Sequence, residues 1–176
     1  MKILNIHGYN GNPANSAYLA LKGLGFHVVS PMLDYDAEIP EHILDRLLSI
    51  ARKHQPDVIV GTSLGGFFGA VLSVRTGQPL VLVNPCLMPF LHLPRLGYKG
   101  EVQPFISLFG ELSKLKKSSV SAIVGGSDEV IDTHDFTEIL CGNSRFQVVP
   151  EGEHSGATLP LREYFAQVLS DNSHSL

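Results

Sequence analysis

The stretch Val58-Ile59-Val60-Gly61-Thr62-Ser63-Leu64-Gly65-Gly66 constrains this chain more than any other. A short β-branched run ends at Gly61, and a helical run from Phe67 to Thr76 begins just past Ser63. Between them lies Gly-x-Ser-x-Gly, the pattern of a nucleophile elbow. A serine on so sharp a strand-to-helix turn lifts its hydroxyl above the sheet in a strained backbone conformation. Side chains two residues either side would collide, and Gly61 and Gly65 remove them. The N–H of Leu64, at the start of the new helix, points where an oxyanion forms. The bland alternative is a plain glycine-rich βα turn. Two other glycine-rich readings fail on residues. A phosphate loop needs Gly-Lys-Ser/Thr where Gly66-Phe67-Phe68 stands. A dinucleotide fingerprint ending at Gly66 and Gly69 needs glycine at Leu64.

Around this turn the chain alternates strand and helix with no repeat, low-complexity linker or break in composition. That alternation predicts an α/β fold with a parallel sheet. The expected strands are Lys2–Ile6, Phe26–Ser30, Val58–Gly61, Leu80–Asn84, Ser121–Val124 and Arg145–Val149. The clearest helix runs from Pro40 to His54, with Ile43, Leu44, Leu47, Leu48 and Ala51 on one face. Glu41 in its first turn and Arg52, Lys53 and His54 in its last match the helix dipole. Further expected helices start at Pro13 under an Asn12 cap, run from about Phe105 to Lys117, start under an Asp132 cap and reach Cys141, and cover Leu159–Leu169 under a Thr158 cap. The expected organisation is one domain over residues 1–170, with 171–176 a frayed tail.

With 176 residues, 44% hydrophobic and 17% charged, the chain is long and apolar enough to bury a core. A net charge of -4 gives no reason to expect nucleic acid or an anionic membrane as partner. No apolar run approaches the roughly 20 residues needed to span a bilayer. The N-terminus turns polar too soon for a signal peptide. Cys86 and Cys141, without a CxxC motif, read as two reduced thiols of a cytoplasmic protein. The eight histidines show no ligand spacing, so no metal is expected.

A nucleophilic Ser63 demands an acid and then a histidine, each just past a later strand. Gly125-Gly126-Ser127-Asp128-Glu129-Val130 follows the fifth strand, and Pro150-Glu151-Gly152-Glu153-His154-Ser155-Gly156 follows the sixth. Parallel strands bring all these loops to one rim with the elbow. His154 suits the role of proton acceptor because imidazole titrates near neutrality. Asp128 suits the task of fixing its tautomer, with Glu129 and Asp132 as rivals; Asp132 also sits where a helix cap is needed. Taken alone, His154 reads as a solvated loop residue and Asp128 as a turn residue; their order and placement argue otherwise. A second oxyanion donor is expected in His7-Gly8-Tyr9-Asn10, from the N–H of Tyr9 or, failing that, of Asn10.

His7-Gly8-Tyr9-Asn10, Gly61-Thr62-Ser63-Leu64-Gly65-Gly66, Val83-Asn84-Pro85, Gly126-Ser127-Asp128-Glu129-Val130 and Gly152-Glu153-His154 resemble the successive motifs of the α/β-hydrolase superfamily. More narrowly they resemble the small YqiA-type serine esterases, over nearly the whole chain. The resemblance implies a minimal six-stranded parallel sheet of order 2-1-3-4-5-6 with helices on both faces. It also implies hydrolysis of a small-molecule ester or thioester without a cofactor. Only the segment between Cys86 and Lys117 carries no matching motif. Its apolar residues, Leu87 and Met88 among them, read either as an acyl pocket or small lid, with Asn10, Leu87 and Met88 contacting substrate, or as ordinary core packing. About 35 residues is too little for a separate cap domain, so a fairly open site for short to medium acyl groups is expected. Lys114, Lys116 and Lys117 read as a solvated face. The function expected from all this is carboxylesterase. A thioesterase or lactonase would use the same residues, and a non-catalytic binding protein of the same fold is the alternative from another class.

Overall fold

A computed structural model describes residues 1–142 and 145–171. Its strands are β1 (Lys2–Ile6), β2 (His27–Val29), β3 (Val58–Thr62), β4 (Leu80–Val83), β5 (Val120–Gly125) and β6 (Phe146–Val149). They form one sheet of order β2-β1-β3-β4-β5-β6, parallel at every pairing. The expected order 2-1-3-4-5-6 and the α/β class hold.

The helices are α1 (Ser16–Gly23), α2 (Pro40–His54), α3 (Leu64–Thr76), α4 (Pro89–His92), α5 (Gln103–Phe109), α6 (Asp135–Cys141) and α7 (Leu161–Asp171). They cover both faces of the sheet, and strand periodicity decides which side chain meets which face. Ile59, Leu80, Leu82, Val120 and Ala122 face one layer with α2, α3 and α5. Val58, Val60, Val81, Val83 and Ile123 face the other with α1 and α7. Helix α3 is buried from Leu64 through Ser73, as its nearly uniform apolarity requires. Helix α2 has the expected bounds and buries Ile43, Leu44, Leu47 and Ala51.

Several expected boundaries move. Helix α1 starts later than Pro13, because Asn12 Oδ1 accepts the Ala14 N–H in a local turn while Asn15 accepts from Tyr18 and is the cap. Asp132 caps nothing: its carboxylate pairs with Arg95 at 2.8 Å, and α6 begins three residues on. The helix expected over Phe105–Lys117 breaks after Phe109 into a 3-10 turn at Gly110–Lys114. Thr158 lies in a 3-10 turn and accepts the Glu153 N–H rather than capping α7, which begins after Pro160. Helix α7 runs through Asp171, the first residue of the expected tail; the rest of that tail, 172–176, lies outside the described residues.

Candidate active site

The sheet order reverses between β1 and β3, so the loops leaving these two strands diverge to opposite faces and open a crevice. The loop after β3 is the elbow. Ser63 has φ 52° and ψ -121°, a conformation costly for any residue with a Cβ. The strain is held by backbone bonds on both sides. Ser63 N–H donates to Val83 O at 3.0 Å, and its carbonyl accepts from Gly66 and Cys86. The glycines answer to sterics as argued above. A Cβ at Gly65 would strike the Ile6 and His7 carbonyls, and one at Gly61 would strike the Gly65 and Gly66 backbone.

The loop after β1 completes the near wall. A Cβ at Gly8 would lie 2.8 Å from Ser63 Cβ, so only glycine lets this loop approach. His7 is buried and shapes the loop with both ring nitrogens: Leu33 N–H donates to Nε2 at 3.0 Å, leaving Nδ1 to carry the proton toward Gly8 O at 2.9 Å. Burial holds its pKa below the ordinary histidine value, against the opposing pull of the Gly8 bond. Tyr35 O–H donates to the His7 carbonyl. Tyr9 is half-buried beside Ser63 and its hydroxyl donates to Asp36 at 3.0 Å, while Asn10 is exposed with φ 56°. Among the turn, loop and cap hydrogen bonds of the described residues, the main-chain N–H groups of Tyr9 and Leu64 have no acceptor.

The far wall comes from the loops after β5 and β6. His154 Nε2 lies 3.1 Å from Ser63 Oγ, and His154 Nδ1 lies 2.9 Å from Asp128 Oδ2. A carboxylate has no proton to give, so Nδ1 carries it and Nε2 is free to accept from the serine hydroxyl. The Asp128 side chain is 1% exposed and that of His154 19%, so the acid lies deeper than the base it holds. Burial alone would raise the Asp128 pKa. Hydrogen bonds from His134, His154 and the Ile131 and Val130 N–H groups reverse that and hold the carboxyl well below the usual carboxylate range. The three side chains singled out by their order and placement in the sequence are thus in contact.

Two residues that hold His154 in place were not assigned this work from sequence. Asn84, buried at φ 42°, donates from Nδ2 to the carbonyls of Glu153 and His154, both at 2.8 Å, and accepts the Gly125 N–H at 2.7 Å. Glu129, a rival for the acid, instead accepts the His154 N–H at 3.0 Å. The signal for Asn84 was present in Asn84-Pro85, a polar residue at the end of an apolar strand. The cavity beside Ser63 measures about 230 Å³ and has a mixed wall, with Asn12, Asn15 and Thr62 on its polar side and Ala17, Val83 and Leu161 on its apolar side. Leu87 is buried in the core and Met88 half-buried at the start of α4; neither borders this cavity. Phe105, Leu108, Leu112 and Leu115 join the core, so ordinary packing accounts for much of segment 86–117. Both cysteines are free, and burial pushes each thiol up to about 12. Among the described residues no cluster of His, Cys, Asp or Glu could hold a metal, and no helix is long and apolar enough to cross a membrane.

Known structures share this architecture. A protein of Xanthomonas campestris pv. campestris named for the alpha/beta hydrolase superfamily is 22% identical, over 97% of this chain and 98% of that one, with a TM-score of 0.68. An esterase of M. tuberculosis is 15% identical, over 97% and 84%, at 0.67. The thioesterase domain of the curacin biosynthetic pathway is 14% identical, over 98% and 89%, at 0.57. These likenesses establish the α/β-hydrolase fold. Residues 2–140, most of the chain, match the model of one sequence family. The chain therefore belongs to UPF0227, described as an uncharacterised protein family, and carries it on an α/β-hydrolase fold.

Proposed function

We propose that the chain is a serine hydrolase that cleaves carboxylic esters through an acyl-enzyme on Ser63. The observation that carries this reading is the unbroken row Ser63 Oγ, His154 and Asp128, at 3.1 and 2.9 Å, on a strained turn. His154 takes the Ser63 proton as the hydroxyl attacks the acyl carbon, and later gives it to the leaving alkoxide. Asp128 holds the imidazole tautomer and stabilises the imidazolium. The Tyr9 and Leu64 N–H groups receive the negative charge of the tetrahedral intermediate. Water then repeats the sequence to release the acid. The small cavity favours a compact acyl or alcohol group over a long chain. Relatives by fold include proteins named as an esterase and a thioesterase, and the same groups would serve a thioester.

The test is a fluorophosphonate probe on the wild type and on Ser63→Ala. Labelling of the first and not of the second is expected, with ester turnover by Ser63→Ala lower by roughly 10³-fold or more. A folded wild type that takes no label would favour the non-catalytic binding protein. A panel of esters and matched thioesters of rising chain length then ranks the substrates.

A further inference from the structure

Asp128 carries a second imidazole. Its Oδ1 accepts the N–H groups of Val130 and Ile131, both at 2.9 Å. Its Oδ2 is shared between His154 Nδ1 and His134 Nε2, the latter at 3.1 Å. His134 precedes α6 and borders a cavity other than the one at Ser63, and its side chain is only 8% exposed. Because the carboxylate only accepts, the His134 proton sits on Nε2. That leaves Nδ1 as a bare acceptor, and Nδ1 is buried without a partner. An imidazole kept merely to fill space is a poor choice here, since an apolar ring of equal volume would leave no nitrogen unsatisfied.

We propose that His134 is a positioning residue for the hydrolysis inferred above, on which this inference rests. Its Nε2–H fixes the plane of the Asp128 carboxylate and draws off part of its negative charge. His154 is thereby aligned through Nδ1 and not over-stabilised as the imidazolium. The charges facing His134 are Asp128 itself and, around a cavity of about 290 Å³, Asp132, Asp135 and Glu138. Of these, Asp132 is engaged by Arg95 at 2.8 Å and lies 3.8 Å from His92 Nε2. Removing the His134 donor returns charge to Asp128, so His154 holds its proton more tightly and the base form is lost at higher pH.

The experiment measures the fluorophosphonate labelling rate against pH, which needs no knowledge of the natural substrate. His134→Phe and His134→Met, which lack the donor, are expected to label about tenfold more slowly. Their acidic midpoint should move up by about half a unit, and their thermal midpoints should fall because the buried carboxylate loses one donor. His134→Gln, whose Nε2 reaches the same place, should keep most of the rate and the original midpoint. In the unaltered protein, imidazole ¹⁵N spectra at neutral pH should place the His134 proton on Nε2. A folded donor-less variant with wild-type rate and midpoint would overturn the proposal, as would a His134 whose only proton is on Nδ1. Absence of any labelling in the wild type would instead overturn the hydrolase reading itself.

Discussion

The rim around Ser63 and the segment from Cys86 to Lys117 lie side by side, yet different forces hold them. At the rim, directional bonds to single atoms fix the geometry: Asn84 grips two carbonyls and one N–H, Glu129 grips the His154 N–H, and His7 bridges Leu33 and Gly8. In the segment, Phe105 lies edge-on to Phe67, Phe68 and Tyr98, and Phe90 to Phe109, with Leu108, Leu112 and Leu115 filling the gaps. Dispersion and burial carry no angular demand comparable to a hydrogen bond. The rim should therefore fail in reactivity when one atom is changed. The segment should fail in stability when volume is changed, with reactivity spared.

The sharpest way to break that contrast is Gly8→Ala. The added methyl would lie 2.8 Å from Ser63 Cβ, forcing the loop and the Tyr9 N–H away. Labelling by the fluorophosphonate should fall by about 10²-fold, the scale of losing one oxyanion donor. Asn84→Ala comes next. It orphans the buried Gly125 N–H and frees the His154 loop, and a loss of about 2–3 kcal/mol in urea unfolding is expected. A labelling rate lower by roughly tenfold should accompany it.

His7 offers a test by pH. Its folded pKa lies below that of the unfolded chain, so the unfolded state binds the extra proton as pH falls. The stability from neutral His7 is complete above the unfolded value, about 6.5, and is lost as pH drops toward the folded one. Asp128, held ionised well below this range, leaves the window clear. The thermal midpoint should therefore fall between pH 7 and pH 5, and less steeply in His7→Asn, which cannot titrate. The smallest effect on reactivity is expected from Phe105→Leu. It should cost about 1–1.5 kcal/mol of stability and leave the labelling rate within twofold of wild type. A large rate loss there would show that segment 86–117 does more than pack.

Much of this was legible in the chain. Helix α2 had matching periodicity, charges and a terminal proline, and its bounds were readable to the residue. The elbow was readable because a steric requirement leaves a mark in glycines. Helix caps were harder: Asn12 and Asn15 carry the same local chemistry, and only the surrounding contacts choose between them. The role of Leu87 was illegible for a related reason, since an apolar residue near a site looks the same whether it faces substrate or core.

Taken alone, the sequence determined the alternation of strands and helices, the parallel sheet, and the order in which serine, acid and histidine leave their strands. Those are local or one-dimensional properties, set by periodicity, steric allowance and chain direction. Only the tertiary structure decided that His134 joins His154 on Asp128, that Asn84 and Glu129 hold the His154 loop, and that Leu87 and Met88 stay out of the cavity at Ser63. These depend on which side chains meet across loops far apart in sequence, and no spacing rule encodes a hydrogen bond whose partners are brought together only by the packing of the whole sheet.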